Sequence, residues 1–210
     1  FRYDQAKPVM AQLDALKPRV DKLAKLNAKY GMKAMYHNYS GPGTVGSAIW
    51  DLLEVLRQFD PRHVSFHFDT GHAANAGGNN TWALNMRAAG PYVGGLSIRD
   101  SLLEFDPNAG QPRARPPGAP AGGPPAATGP VYPWRVRYTP LGQGNNNLPL
   151  LAEVLKQIQF AGPVEIQAEY PNGGADAGRD AITLPRAEVL GNMRKDLETL
   201  KAAWAGTGLI

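Results

Sequence analysis

Cysteine is absent from the 210 residues, which removes disulfides, thiolate metal sites and cysteine nucleophiles together. No run of about 18 apolar residues occurs, so no segment reads as a membrane-spanning helix. Histidine is scarce: His37, His63, His67 and His72 are all there is for imidazole chemistry. A secretory signal pattern is missing too, although the chain opens on Phe1 rather than Met. That opening points to processing or truncation, and it leaves both a cytoplasmic and a periplasmic location open.

What is present suits one domain with a substantial core, since 43% of the residues are hydrophobic. A net charge of +4 permits anionic partners, but the basic residues are scattered. The densest run, Lys17, Arg19, Lys22, Lys25, Lys29 and Lys33, falls on the polar side of a helix whose other side carries Val20, Leu23, Leu26 and Tyr30. This reads as a solvated helix face and not as a nucleic-acid patch. Neither nucleic acid nor membrane is an expected partner.

The organising stretch is His63-Val64-Ser65-Phe66-His67-Phe68-Asp69-Thr70-Gly71-His72. Its alternation predicts a strand over 64–69 with Val64, Phe66 and Phe68 on an apolar face, stopping at Thr70-Gly71. Around it the patterning predicts a helix over 8–30 broken by Pro18, a strand over 32–38, a helix over 45–59, a helix over 80–89 and a strand over 93–100. Further on come a helix over 148–160, a strand over 164–169 and a helix over 185–204. Residues 106–130 are too rich in Pro, Gly and Ala to pack and read as a flexible insertion within a domain spanning 1–210. A helix followed by four strands, each with its own helix, implies an α/β fold with a parallel sheet. Four such βα units are half of a (β/α)8 barrel, which needs about 250 residues when complete.

In a parallel sheet wound with helices, ligands collect beyond the carboxyl ends of the strands. Keeping the strand phases brings His37, Asp69, Ser97, Arg99, Gln167 and Glu169 toward one end of one face. Groups of this kind must be paired, metal-bound or wet. Imidazole and carboxylate donors suit Mn, Zn, Fe or Mg. The plainer alternatives are a polar face that meets solvent, with Asp69 capping the next turn and His72 an ordinary loop residue.

The segments YHNYSGPGTVGSAIWDLLEVL, HFDTGHAANAGG, GGLSIRD, TPLGQG and FAGPVEIQAEY, in this order, resemble the sugar phosphate isomerase/epimerase group of the xylose isomerase-like TIM barrel superfamily. The resemblance runs from about residue 17 to the C-terminus, apart from the insertion. It implies a partial (β/α)8 TIM barrel, the C-terminal half. It also implies a divalent metal held by Asp69, Glu169 and His37, with His72, Arg99 and His37 on the substrate and Glu169 and His72 in catalysis. The departures concern the metal. Ser97 stands where the family has a histidine ligand, His37 where it has Glu, and a stricter register puts Gln167 in place of the last Glu. Ser binds divalent metals far less well than imidazole.

The implied activity is metal-assisted proton transfer next to the carbonyl of a keto sugar or sugar phosphate, as in a sugar isomerase or epimerase. Alternatives are a lyase or dehydratase on oxidised sugars using the same site, and a degenerate, non-catalytic sugar-binding or assembly protein. A metal-dependent DNA repair endonuclease ranks last, because such sites need more histidines. The implied partner is a small-molecule sugar. A four-stranded sheet with bare edges is also expected to associate, as a homodimer or other oligomer.

Overall fold

The computed structural model describes residues 1–41, 43–77, 81–107, 133–175 and 181–209. Four parallel strands form the sheet: β1 (Ala34–His37), β2 (Val64–Asp69), β3 (Val93–Ile98) and β6 (Val164–Ile166), in the spatial order β1-β2-β3-β6. The helices are α1 (Val9–Tyr30), α2 (Trp50–Leu56), α3 (Thr70–Gly77), α4 (Thr81–Ala89), α5 (Leu148–Gln157) and α6 (Arg186–Trp204). A separate antiparallel pair, β4 (Asp100–Phe105) and β5 (Trp134–Thr139), leaves the sheet directly after β3. The architecture is α/β with a parallel sheet, a barrel that is not closed among the described residues.

Alternation sets the faces. Phe66, Phe68, Leu96 and Ile98 have no exposed surface and form the core with Leu52, Val55, Met86, Leu151 and Leu155 of the helices. The opposite phase, with Ser65, His67 and Asp69 on β2 and Ser97 on β3, turns away from the helices. The register sets Asp69 beside Ser97, and Ser97 beside Glu165.

Several expectations are corrected. Pro18 does not break α1, which runs unbroken for 22 residues. Pro18 forfeits one helical hydrogen bond, at a cost of roughly 3 kcal/mol. Buried Leu13 and Leu16 before it and half-buried Val20 and Ala24 after it hold both halves against the core. The apolar side expected of this helix is also displaced: Leu23, Leu26 and Tyr30 are exposed. Likewise α6 buries Leu200 and Trp204 but exposes Leu190, Met193 and Leu197. The helix expected over 45–59 begins only at Trp50, because Ile49 takes a positive φ of 63° that no helix accommodates. The chain does not enter a loop at Thr70 but starts α3 there. The strand expected over 93–100 ends at Ile98, that over 164–169 at Ile166, and the hairpin was not expected at all. Beyond Pro107 the expected insertion lies outside the described residues.

Candidate active site

Asp69 is fully buried at the end of β2, and its surroundings explain why the backbone stops there. Its Oδ1 accepts the His72 backbone N–H at 2.7 Å, the N-terminal cap of α3. Asn38, just past the end of β1, carries the β1–β2 ladder one step further with its side chain. Its Nδ2 donates to the Asp69 carbonyl at 3.1 Å, and its Oδ1 accepts from the Asp69 N–H at 2.7 Å.

Asp69 Oδ2 meets two donors, His37 Nε2 at 3.0 Å and Arg99 Nη2 at 2.9 Å. Arg99 Nη1 in turn reaches Glu169 Oε1 at 2.9 Å. One guanidinium thus bridges two carboxylates that come from the ends of β2 and β6. Burial alone would raise the Asp69 pKa, but the His37 hydrogen bond and the Arg99 charge outweigh it and hold the carboxyl below its ordinary value. Burial pushes Arg99 the other way, and Asp69 and Glu169 more than restore its charge.

Arg99 is built in. It is 5% exposed, and its stem crosses Gly71 so closely that a Cβ there would stand 2.7 Å from Cδ and closer still to Cγ. The Tyr138 ring of β5 faces the guanidinium carbon at 5.0 Å. The Asn146 side chain donates to the Arg99 carbonyl.

His72, on the first turn of α3, is 3% exposed. Its Nδ1 lies 2.8 Å from Ser40 Oγ, and Tyr39 stacks tilted on the ring with centroids 4.1 Å apart. Burial pushes its pKa down to about 4, with Arg99 and His37 adding to the effect against the pull of Asp69. The imidazole is neutral at pH 7. Its Nε2 is buried without a hydrogen-bond partner.

A second pair lies lower on the same face. His67 Nε2 and Glu165 Oε1 are 3.1 Å apart, and Gln167 Nε2 donates to the same oxygen at 3.2 Å. Burial raises Glu165, but these two bonds bring it below its ordinary value. Gln167 therefore serves Glu165, and Ser97 is buried beside it in the adjacent strand.

Of the residues singled out in the sequence, Asp69, His37, Arg99 and Glu169 form one hydrogen-bonded chain, and His72 joins it through its backbone N–H. Sequence reasoning missed Asn38, Ser40, Tyr39 and Tyr138. For the first three the signal was the polar run Asn38-Tyr39-Ser40 at a strand end. Tyr138 had none, because the hairpin that carries it was not foreseen.

With Arg99 between its carboxylates, the donor set does not fit a divalent ion. Both Asp69 oxygens are engaged, and a cation already joins Asp69 to Glu169. Ser97 and Gln167 occupy the two positions where further ligands were implied. Among the described residues no three His, Asp or Glu side chains converge as metal ligands.

Comparison with known proteins gives a consistent picture. A family model described as xylose isomerase-like TIM barrel matches residues 2–202. The inosose dehydratase of Mesomycoplasma hyopneumoniae is 30% identical over 73 residues, 35% of this chain and 24% of that protein. The IOLI protein, solved with a zinc atom, superposes with a TM-score of 0.66 at 15% identity over 98% of this chain and 62% of its own. The D-psicose 3-epimerase of Clostridium cellulolyticum, solved with D-tagatose, gives 0.61 at 14% identity over 96% and 60%. The likeness to these two structures is one of fold, and the chain spans about six-tenths of their length.

Proposed function

The chain belongs to the xylose isomerase-like TIM barrel family, and on that premise we propose that it binds a keto sugar and moves a proton on the carbon next to the carbonyl. The observation that carries this reading is His72. Its buried, neutral imidazole has an unpartnered Nε2, set among Asp69, His37 and Tyr39 at the strand ends. With the Ser40 hydroxyl donating to Nδ1, Nε2 carries the proton and donates to the carbonyl oxygen, on which negative charge grows as the neighbouring C–H is broken.

The proton transfer is assigned to two groups. Glu169 follows β6 and His37 ends β1, the two outer strands of the row, with Asp69 and Arg99 between them. Removal by one and return by the other to the opposite face inverts the carbon. Return to the neighbouring carbon isomerises the sugar, and departure of a hydroxyl from the next carbon gives dehydration. All three outcomes share the first step. Charge favours an unphosphorylated ligand, since the Asp69 and Glu169 carboxylates together outnumber the Arg99 guanidinium they share. The zinc reported with the IOLI protein has no counterpart in this donor set, so no step is assigned to a metal.

The test is solvent exchange. Incubated with D-tagatose or D-fructose in D2O, the protein should introduce deuterium next to the carbonyl, read by NMR, and Glu169→Gln should slow this by about 100-fold or more. The second reading is a sugar-binding protein without catalysis, favoured by the Arg99 bridge, which engages both carboxylates. Sugar binding with no exchange above the uncatalysed rate would select it.

A further inference from the structure

We propose that the Arg99 guanidinium is the resident cation of this site, joining Asp69 to Glu169 in place of a divalent ion, so that the protein binds its ligand without a metal and gains metal affinity when Arg99 is removed. Two carboxylates drawn together at the ends of β2 and β6 need a positive charge between them. Arg99 supplies one that cannot be lost by deprotonation, with matched contacts of 2.9 Å on each side.

The placement is part of the fold. Gly71 leaves the space through which the Arg99 stem passes, Tyr138 backs the guanidinium, and Asn146 holds the Arg99 carbonyl. The neighbouring positions agree with this assignment. Ser97 and Gln167 add no imidazole or carboxylate donor, and Gln167 is turned to Glu165. A guanidinium differs from a metal in one respect that matters for the ligand. It has no vacant coordination position, so it can offer a sugar oxygen only a hydrogen bond from an N–H that is not turned to Asp69 or Glu169. Recognition then falls to hydrogen bonds from His72 Nε2 and to carboxylate oxygens that accept sugar hydroxyls. Only this last consequence rests on the keto-sugar reading.

Calorimetric titration of the full chain with Zn2+ tests the proposal, on the wild type, Arg99→Met and Arg99→Lys, with folding checked by circular dichroism. The wild type and Arg99→Lys should take up no stoichiometric Zn2+. Arg99→Met should bind about one per chain, roughly 100-fold more tightly than the wild type. Stoichiometric Zn2+ on the wild type that is lost in Asp69→Asn would overturn the proposal, and so would a folded Arg99→Met that gains none. If Arg99→Met does not fold, the wild-type titration decides alone, and absence of binding upholds it. Ketose binding followed by NMR with and without a chelator separates the two readings. If no ketose binds while the metal pattern holds, the keto-sugar reading falls and the resident-cation assignment stands.

Discussion

His72 and Asp69 make the candidate site acid-sensitive, and the direction follows from their surroundings. The folded pKa of His72, about 4, lies below its ordinary value of 6.5. Between those values the unfolded chain binds a proton that the folded chain refuses. Stability is therefore complete above about pH 6.5 and declines on acidification toward pH 4, by at most about 3 kcal/mol. Asp69, held below its ordinary value, adds a loss at still lower pH, as its carboxyl is protonated. The urea midpoint should fall between pH 7 and pH 5, and His72→Gln should flatten that slope. An unchanged slope in the variant would remove His72 as its source. At this scale the sequence was partly legible. Asp69 and His72 stand three residues apart on a strand end, where both chemistry and capping were foreseeable, and the structure uses Asp69 as a cap and an ion-pair partner together. Strand phase brought Arg99 and Glu169 to one end of the same face, but their direct ion pair, between side chains 70 residues apart, was not legible.

The loop Gly142–Asn146 shows the same division among elements. The segments GGLSIRD, which ends in Asp100, and TPLGQG stood out in the sequence as separate pieces, and the structure joins them. Asp100 accepts backbone N–H groups from Ser101, Gly142, Gly144 and Asn146 at 2.9–3.0 Å. Asp196 of α6 accepts from Leu141 at 2.9 Å and from the Tyr170 hydroxyl at 2.7 Å. Gly144 is required here, since a Cβ would stand 2.6 Å from the Asp100 carboxyl carbon. The loop in turn delivers Asn146 to the Arg99 carbonyl. Asp100→Asn turns an amide toward these donors and should cost about 3 kcal/mol; chemical denaturation would measure it, and a loss below about 0.5 kcal/mol would refute the role of the loop anchor. Long periodic elements such as β2 and α5 were legible because their apolar period matches their burial. The hairpin was not, because β4 and β5 pair across the Pro/Gly-rich stretch and half of their side chains face solvent. In α1 tertiary burial prevails over the local penalty of Pro18, a balance that no local pattern displays.

For the molecule as a whole, the helices cover one face of the sheet, while β1 and β6 remain its edges among the described residues. The exposed stripes Leu23, Leu26, Tyr30 on α1 and Leu190, Met193, Leu197 on α6 show why helix periodicity overstated the core. Periodicity reports that a face is apolar, not that anything in the chain covers it. The two edges differ in one further way. Strand β6 has three residues, with Val164 40% exposed and Glu165 exposed, and it pairs with β3 across more than sixty intervening residues. Such a closure is entropically costly and is rewarded late. β6 should accordingly be the first strand to open and the last to dock, with amide hydrogens exchanging faster than those of β2; equal protection would contradict this order. Glu169 follows directly behind it, so the candidate proton carrier sits on the loosest part of the sheet, tethered through Arg99 to one of the firmest. A ligand that engages Glu169 would then act as a clasp, and slower exchange in β6 would register its binding before any chemistry is observed.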